Sequence, residues 1–286
     1  MFYIIVIHCS ILNATENWDF KSALQSSFSN YSDSIIRDNR YSVGFSIIGD
    51  YLNRTGFSLI YGQSKINYNN DITAIKQNEG YLSIRHLFRS DTLHGTLHLS
   101  LAGHIIRNND PVDAFDHLNT ISPSFTYVDY GKNYALGLSY AQSNYPEDFT
   151  VRQWSPSIGF AFYQQQNWLT LKGYFITSSD KLKSQGEKTT QAIDISISHY
   201  FQAKRILPIN KIQLSVLLGE RIFAVEGAAV YNLADLQKES FSVSSEFRLV
   251  NNLLLTLAGG LDKFENKVID DDYSSLYLYA NISSSF

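Results

Sequence analysis

The sequence has little of what several classes of protein require. Its 286 residues include one cysteine, Cys9, and five prolines. A single cysteine excludes a disulfide framework and a metal site built on paired cysteines. The 23 basic and 27 acidic residues give a formal net charge of −4, without the basic excess of a nucleic-acid-binding protein. We therefore expect no nucleic-acid partner.

Long hydrophobic runs are also missing. No apolar stretch approaches the roughly 18 residues that a membrane helix needs, and the mean hydropathy is −0.16. Charged residues make up 17% of the chain, against roughly 25% in an average soluble domain. These totals exclude a helical membrane protein. They are compatible with a membrane β-barrel, because only alternate residues of its strands face lipid.

What the sequence does contain is alternation. Large apolar residues occupy every second position in segments such as residues 41–47, 93–105, 134–141 and 253–261, and small or polar residues lie between them. Successive side chains of a strand point to opposite faces, so each segment has one apolar and one polar face. Segments with a helical period are absent. The pattern predicts an all-β fold of antiparallel strands.

The connections between these segments alternate between short and long, as in bacterial outer-membrane barrels. This parity favours reading residues 212–230 as one long strand that runs into an outer loop. It gives a transmembrane, antiparallel, up-and-down β-barrel of about 14 strands, with 12 or 16 as alternatives. Alternation alone also fits a soluble β-sandwich with its apolar faces inward; the loop parity, the chain terminus and the first residues favour the barrel.

The first residues predict an export signal. Residues 2–7 are apolar, and a cleavage site after Ala14 would remove residues 1–14. Residues 15–286 would then form a single barrel domain.

The last predicted strand carries the most specific motif. Its apolar face consists of Leu276, Leu278, Ala280, Ile282 and Phe286, while Ser284 replaces the more usual apolar residue. On this motif the chain resembles the outer-membrane β-barrel superfamily of Gram-negative bacteria, whose last strand ends in Phe and is recognised by the barrel assembly machinery. The resemblance implies an outer-membrane location, with lipid, lipopolysaccharide and that machinery as partners.

A narrower resemblance is to YaiO-type outer-membrane barrels. It rests on residues 193–201, which end in Ser-His-Tyr-Phe, and on the pair of segments 241–249 and 253–264. This resemblance implies no particular activity.

If the apolar face meets lipid, the polar face lines the lumen. Small residues dominate it, and charged or histidine side chains of both signs are scattered along it. The predicted lumen-lining residues are Arg40, Arg54, Arg85, His94, His98, His104, Lys172, Asp194, Glu246 and Arg248. Fourteen strands lie between the 8-stranded barrels that side chains fill and the larger porins that enclose water. A water-filled passage and a lumen plugged by paired charges are both compatible with this face.

Two residue patterns resemble a catalytic pair and a cation-binding cluster, but each has a simpler explanation. His98 and Ser100 have the His-x-Ser spacing of outer-membrane phospholipases, yet residues two apart on a strand lie about 6.5–7 Å apart at the backbone. Asp110, Asp113 and Asp116 recur in one predicted loop, and Asp270–Asp272 cluster in another. Such oxygen ligands suit calcium or magnesium, but solvated acidic loops are the simpler interpretation. We expect no catalytic residue, no metal and no cofactor.

The sequence thus leaves three functional hypotheses. The first is a passive pore or export conduit for small polar solutes or a polysaccharide. The second is a structural or interaction barrel with an occluded lumen that acts through its outer loops. The third is a membrane-embedded hydrolase similar to the phospholipases.

Overall fold

The computed structural model describes residues 17–69, 72–109, 117–201, 208–230 and 234–286. The predicted signal segment 1–14 lies outside these residues, as do Asp110, Asp113 and Asp116. The strands are β1 (Trp18–Ser32), β2 (Arg37–Tyr51), β3 (Thr55–Tyr68), β4 (Ile75–Ser90), β5 (Gly95–Asn108), β6 (His117–Asp129), β7 (Tyr134–Asn144), β8 (Thr150–Phe162), β9 (Asn167–Ser178), β10 (Thr189–Tyr200), β11 (Ile209–Arg221), β12 (Val225–Glu226), β13 (Ala229–Val230), β14 (Leu236–Val250), β15 (Leu253–Asn266) and β16 (Asp271–Ser285). In the described ranges no helix has the length and apolarity that crossing a membrane requires.

All strands except the short β12 and β13 form one closed antiparallel barrel. Each strand pairs with its neighbour in sequence, β11 pairs with β14, and β1 pairs with β16 to complete the wall. At the seam the Phe20 and Phe286 backbones exchange hydrogen bonds of 3.2 and 3.0 Å. Closure leaves no sheet edge with unsatisfied amides, which hydrocarbon would not tolerate. The predicted 14-strand antiparallel barrel is therefore confirmed.

The two faces of the wall differ as the alternation predicts. Large apolar side chains such as Val43 and Leu278 are about three-fifths exposed on the outside, at 61% and 58%. Serines such as Ser46 and Ser275 face inward and are buried. A soluble sandwich would place the apolar face inside, so that alternative is wrong. A continuous exposed apolar surface of this size marks contact with a membrane or a partner.

One end of the barrel, the turn end, has five connections of two to four residues, such as residues 52–54, 130–133 and 251–252, and one longer connection, residues 201–208. Leu52 and Asn53 have left-handed backbone angles (φ 51° and 53°), which tight turns require. The opposite, loop end carries the longest connections, residues 179–188 and 222–235, together with two of four residues, 33–36 and 267–270.

Residues 212–230 contribute one strand to the wall, as predicted, but the prediction that this strand spans the whole segment is wrong. Strand β11 ends at Arg221, after an irregularity in its pairing with β14 between Leu218 and Arg221. Gly219 has φ +98°, and a Cβ atom there would lie 2.6 Å from the Gln191 carbonyl oxygen. The chain can bend at this position only because it is glycine. The segment that follows turns into the barrel instead of extending the wall.

Candidate functional site

The connection from β11 to β14 folds back into the lumen. Strands β12 and β13 pair as a short hairpin that turns at Gly227 (φ +56°). We call residues 222–230 the lumen hairpin. It lies against the inner faces of β5 to β11, and so it occupies that side of the barrel interior.

Apolar packing holds the lumen hairpin against this wall. Phe223 is buried, and its ring centroid lies 5.2 Å from that of Tyr145 and 5.4 Å from that of Phe149. Ile222, Ala224, Val225 and Val230 join the same cluster, together with inward-facing wall residues. The wall residues in the cluster include Ile106, Leu118, Ala141, Val151, Tyr174 and Ile176. Each large apolar side chain buried in this way contributes about 1.5–3 kcal/mol.

Hydrogen bonds fix the backbone of the hairpin. The Gln153 side chain accepts from the Val225 N–H at 2.9 Å and donates to the Val225 carbonyl at 2.8 Å. The His104 ring, on β5, lies 3.1 Å from the Gly227 carbonyl oxygen through Nε2. Wall side chains thus satisfy the buried backbone groups that the short hairpin cannot pair by itself.

The hairpin carries one carboxylate, Glu226, into a cationic pocket of the wall. Arg221 lies 3.0 Å from its Oε2, and Lys172 lies 3.6 Å from its Oε1. The Tyr174 hydroxyl donates to Oε1 at 2.7 Å. Two cations and a hydroxyl donor offset the cost of placing this charge inside the barrel.

A second ionic cluster secures the point where the chain returns to the wall. Asp235 forms a buried ion pair with Arg37, and their side chains are 0% and 8% exposed. Arg37 Nη1 also donates to the Tyr273 hydroxyl at 2.6 Å, and the Asn266 amide donates to Asp235 at 2.7 Å. The start of β14 is therefore tied to β2, β15 and β16.

Two cavities remain beside the lumen hairpin. The first, of about 490 Å³, lies between the hairpin and the wall formed by β15, β16 and β1 to β4. The second, of about 320 Å³, includes Lys172 and Asp194 in its lining. Glu226, Asp262 and Tyr277 line both cavities, so these residues mark the place where the two meet.

Several predicted lumen residues lie at this site. Arg40 and His104 line the first cavity, and Lys172 and Asp194 line the second. Nearer the turn end, Arg85 pairs with Asp50, His98 contacts the Thr96 hydroxyl at 3.2 Å, and Glu246 accepts from the Asn210 amide at 3.2 Å.

Two other predicted lumen residues lie elsewhere. Arg54 and His94 are exposed in the turns 52–54 and 91–94, beyond the ends of the strands. At such positions alternation no longer determines the direction of the side chain, so the lumen prediction for these two residues is corrected. Arg248 is exposed near the end of β14, and its place in the lumen stays a prediction.

The sequence interpretation missed Arg221, Glu226, Asp262 and Tyr277. It assigned the first two to a continuous wall strand, and the aromatic residues of the last strand received no role inside the lumen. The sequence signal for an interrupted strand is the presence of two glycines in this segment, Gly219 and Gly227. Both have a positive φ in the structure.

The His-x-Ser pair has different partners from those that a hydrolase would need. The Ser100 hydroxyl shares a 2.6 Å hydrogen bond with Ser124, and His98 contacts Thr96. Nucleophilic activation requires a direct Ser–His hydrogen bond. In the acidic loop, Asp271 accepts from the Ser34 hydroxyl and the Ile35 N–H at 2.9 and 3.1 Å. Within the described ranges no group of His, Cys, Asp and Glu could hold a metal ion.

The predicted assembly motif lies on the outer face of the last strand. Leu276, Leu278, Ile282 and Phe286 are exposed, and Ala280 is half-buried among them. The Phe286 ring stacks on that of Phe20, with centroids 6.2 Å apart.

The fold is that of the outer-membrane β-barrel proteins. One solved structure, a bacterial polysaccharide outer membrane secretin, is 10% identical with a TM-score of 0.54, over 93% of this chain and 98% of that one. Another, the monoaromatic hydrocarbon channel TodX as a deltaS2S3 mutant, is 10% identical with a TM-score of 0.57, over 96% of this chain and 91% of that one. No protein-family model and no curated sequence matches the chain.

Proposed function

We propose that the protein is a passive outer-membrane channel for small polar solutes, narrowed by the lumen hairpin. The observation that carries the proposal is the cavity of about 490 Å³ between the hairpin and the opposite wall. It is lined by Arg40, Glu79 and Asp262 as well as serines and tyrosines. A polar interior inside an apolar outer surface is the arrangement of membrane barrels that conduct water-soluble molecules.

The location in the proposal is the outer membrane of a Gram-negative bacterium. The exposed apolar wall and the shared fold of the polysaccharide secretin and the TodX channel support it. Lipid, lipopolysaccharide and the barrel assembly machinery are the partners that this location implies. The resemblance to YaiO-type barrels belongs to the same proposal and adds no activity to it.

A second candidate is an interaction barrel with a closed lumen. The apolar packing of Phe223 and its neighbours favours it, because a hairpin docked on a hydrophobic cluster does not move aside easily. The two candidates differ in one measurable property, the passage of ions.

The test is single-channel conductance of the detergent-folded protein in a planar bilayer. Steady ohmic steps are expected for a channel. Arg40→Ala should then shift the reversal potential in a salt gradient towards cations, and Glu246→Ala should shift it towards anions. Migration that changes on heating, which reports a folded barrel, together with no conductance would overturn the channel and leave the interaction barrel.

A further inference from the structure

The aromatic side chains of the first cavity have an unusual placement. Tyr277 of β16 is in register with Gly260 of β15, which is in register with Ser242 of β14. A Cβ atom at Gly260 would lie 2.8 Å from both Cε1 and Cζ of the Tyr277 ring. The ring therefore occupies space beside Gly260 that a side chain at this position would fill, and it borders the cavity.

A second ring lies two residues further along the same strand. The Tyr279 side chain extends towards β1, where its hydroxyl donates to Gln25 Oε1 at 3.2 Å. Gln25 itself lies across Gly44, since a Cβ atom there would be 2.7 Å from Gln25 Nε2. Tyr277 and Tyr279 are both half-buried and line the same cavity.

A third aromatic ring belongs to β4, on the part of the cavity wall that follows β1. Tyr81 of β4 lines the cavity and packs on the His104 ring with centroids 4.6 Å apart. The cavity is therefore bordered by aromatic rings that neighbouring side chains hold in place.

Polar groups complete the lining between these rings. Glu79 lies across Gly62, where a Cβ atom would be 2.6 Å from its Oε1. In the part of the chain that the structure describes, Arg40 Nε and Ser42 Oγ are buried and have no hydrogen-bond partner. All three residues line the cavity. Such groups are costly to bury unless something hydrogen-bonds to them.

This combination matches the chemistry of a pyranose ring. The face of an aromatic ring is electronegative, and the C–H bonds on the face of a pyranose are weakly positive, so the two surfaces stack. The hydroxyl groups around the sugar ring pair with carboxylate, guanidinium and hydroxyl groups. A volume of about 490 Å³ falls within the roughly 300–1,000 Å³ of small-molecule sites.

The charged side chains in the cavity lining distinguish neutral from acidic sugars. The lining includes one guanidinium, Arg40, against the carboxylates of Glu79, Asp262 and Glu226. Glu226 is already paired with Arg221 and Lys172, which leaves Glu79 and Asp262 to face Arg40. Uronic acids would be repelled. We propose that this cavity binds neutral pyranosides, a substrate class that rests on the channel function proposed above.

The first experiment is calorimetric titration of the detergent-folded full chain with maltohexaose and cellohexaose, which needs no conductance. At least one of these neutral probes should bind saturably, and an oligogalacturonate of equal length should bind at least tenfold more weakly. Tyr277→Ala should weaken binding about tenfold, which is what the loss of roughly 1.4 kcal/mol of stacking produces. Tyr277→Phe keeps the ring and should stay within a few-fold.

A control variant separates binding from folding. Tyr61→Ala removes a tyrosine that is 51% exposed on the outer face, and it should leave binding unchanged. The affinity of a variant is compared with that of the wild type only if the variant still migrates as a folded barrel.

The outcomes distinguish the two proposals. Conductance without binding of either neutral probe would overturn the saccharide site and leave the channel. Binding without conductance would overturn the channel and support the site. Equal affinity for the oligogalacturonate, or full affinity in Tyr277→Ala, would overturn the assignment of the cavity to neutral sugars.

Discussion

Arg221 and Glu226 form an ion pair of 3.0 Å across the bend that sends the chain into the lumen. They are the last residue of β11 and the last residue of β12, so the pair joins the wall to the tip of the hairpin. Arg221 Nε also donates to the Gln237 side chain at 2.6 Å, and Gln237 donates to Asp262 at 3.0 Å. Side chains of β14 and β15 therefore hold Arg221, and with it the bend, in place.

The first prediction concerns the ion selectivity of the passage. In Glu226→Gln, Arg221 and Lys172 lose their shared carboxylate, and the local charge becomes more positive. We expect the reversal potential in a salt gradient to shift towards anions. Glu239→Gln is the matched control, because Glu239 pairs with Lys263 and both side chains are more than half exposed. Equal shifts in both variants would contradict a role for Glu226 at the constriction.

The second prediction concerns the mobility of the lumen hairpin. Phe223→Ala removes a buried ring from the cluster that docks the hairpin, a change that typically costs about 3–5 kcal/mol. The wall does not depend on this ring, so the barrel should still migrate as folded while the noise of the open-channel current increases. Phe45→Ala, on the outer face, should leave the noise unchanged. Quiet current in Phe223→Ala would mean that the hairpin is fixed by its polar contacts alone.

The third prediction concerns stability at the loop end. Asp235→Asn leaves Arg37 buried without its counter-charge, which costs about 3–5 kcal/mol for buried pairs. The midpoint of urea unfolding of the folded barrel should fall accordingly. Lys263→Gln breaks the exposed pair with Glu239 and should change the free energy of unfolding by no more than about 1 kcal/mol. Similar losses in the two variants would be inconsistent with a special role for the buried pair.

The fourth prediction concerns pH and the outer loops. Glu187, in the loop between β9 and β10, accepts a hydrogen bond of 2.7 Å from Lys267, in the loop between β15 and β16. This bond and the charge of Lys267 hold the pKa of Glu187 below its ordinary value. The contact is therefore complete at neutral pH and is lost as the pH falls through that lowered pKa.

The measurable consequence is local. Beside this contact Val268 N–H donates to Gln185 Oε1 of the other loop at 3.1 Å and to Asn266 Oδ1 of its own loop at 3.1 Å, so loss of the loop contact should remove one of its two acceptors. Its protection factor for hydrogen exchange should fall at acid pH in the wild type. In Glu187→Gln the protection should be low at neutral pH as well. A pH-independent protection factor would show that the two loops are held by other contacts.

The fifth prediction separates two roles of Phe286. Phe286→Ser and Phe20→Ser each remove the ring contact at the barrel seam. Phe20→Ser also removes a stacked contact with Trp18, so it should impair refolding in detergent at least as much as Phe286→Ser. If Phe286 is part of an assembly signal, only Phe286→Ser should reduce the amount of folded barrel in cell membranes. Equal reduction in both variants would assign the effect to the ring contact.

The wall could be predicted from the sequence because its pattern is local. The direction of each side chain follows from its position in an alternating strand, and loop parity requires an even number of strands, which the number of alternating segments places at about 14. The confirmed 14-strand barrel rests on these two regularities. The placement of Arg54 and His94 was wrong because both lie a few residues beyond a strand end, where the regularity stops.

The lumen hairpin could not be predicted in this way. Its position depends on contacts with wall residues far away in the sequence, such as Gln153 with Val225 and His104 with Gly227. A period-two pattern carries no information about which segment enters the interior. The position of the Tyr277 ring depends in the same way on Gly260, a glycine in a neighbouring strand.

The pairing of β1 with β16 brings the first and last strands of the barrel together, so the order of the strands along the chain can be changed. Phe20 and Phe286 are held together by two backbone hydrogen bonds at the turn end, so a short linker could join these strands without disturbing the wall. A circularly permuted chain that opens at the turn 251–252 would run β15, β16, β1 and onward to β14. It should rebuild the same cylinder, because an antiparallel ring has no preferred starting strand.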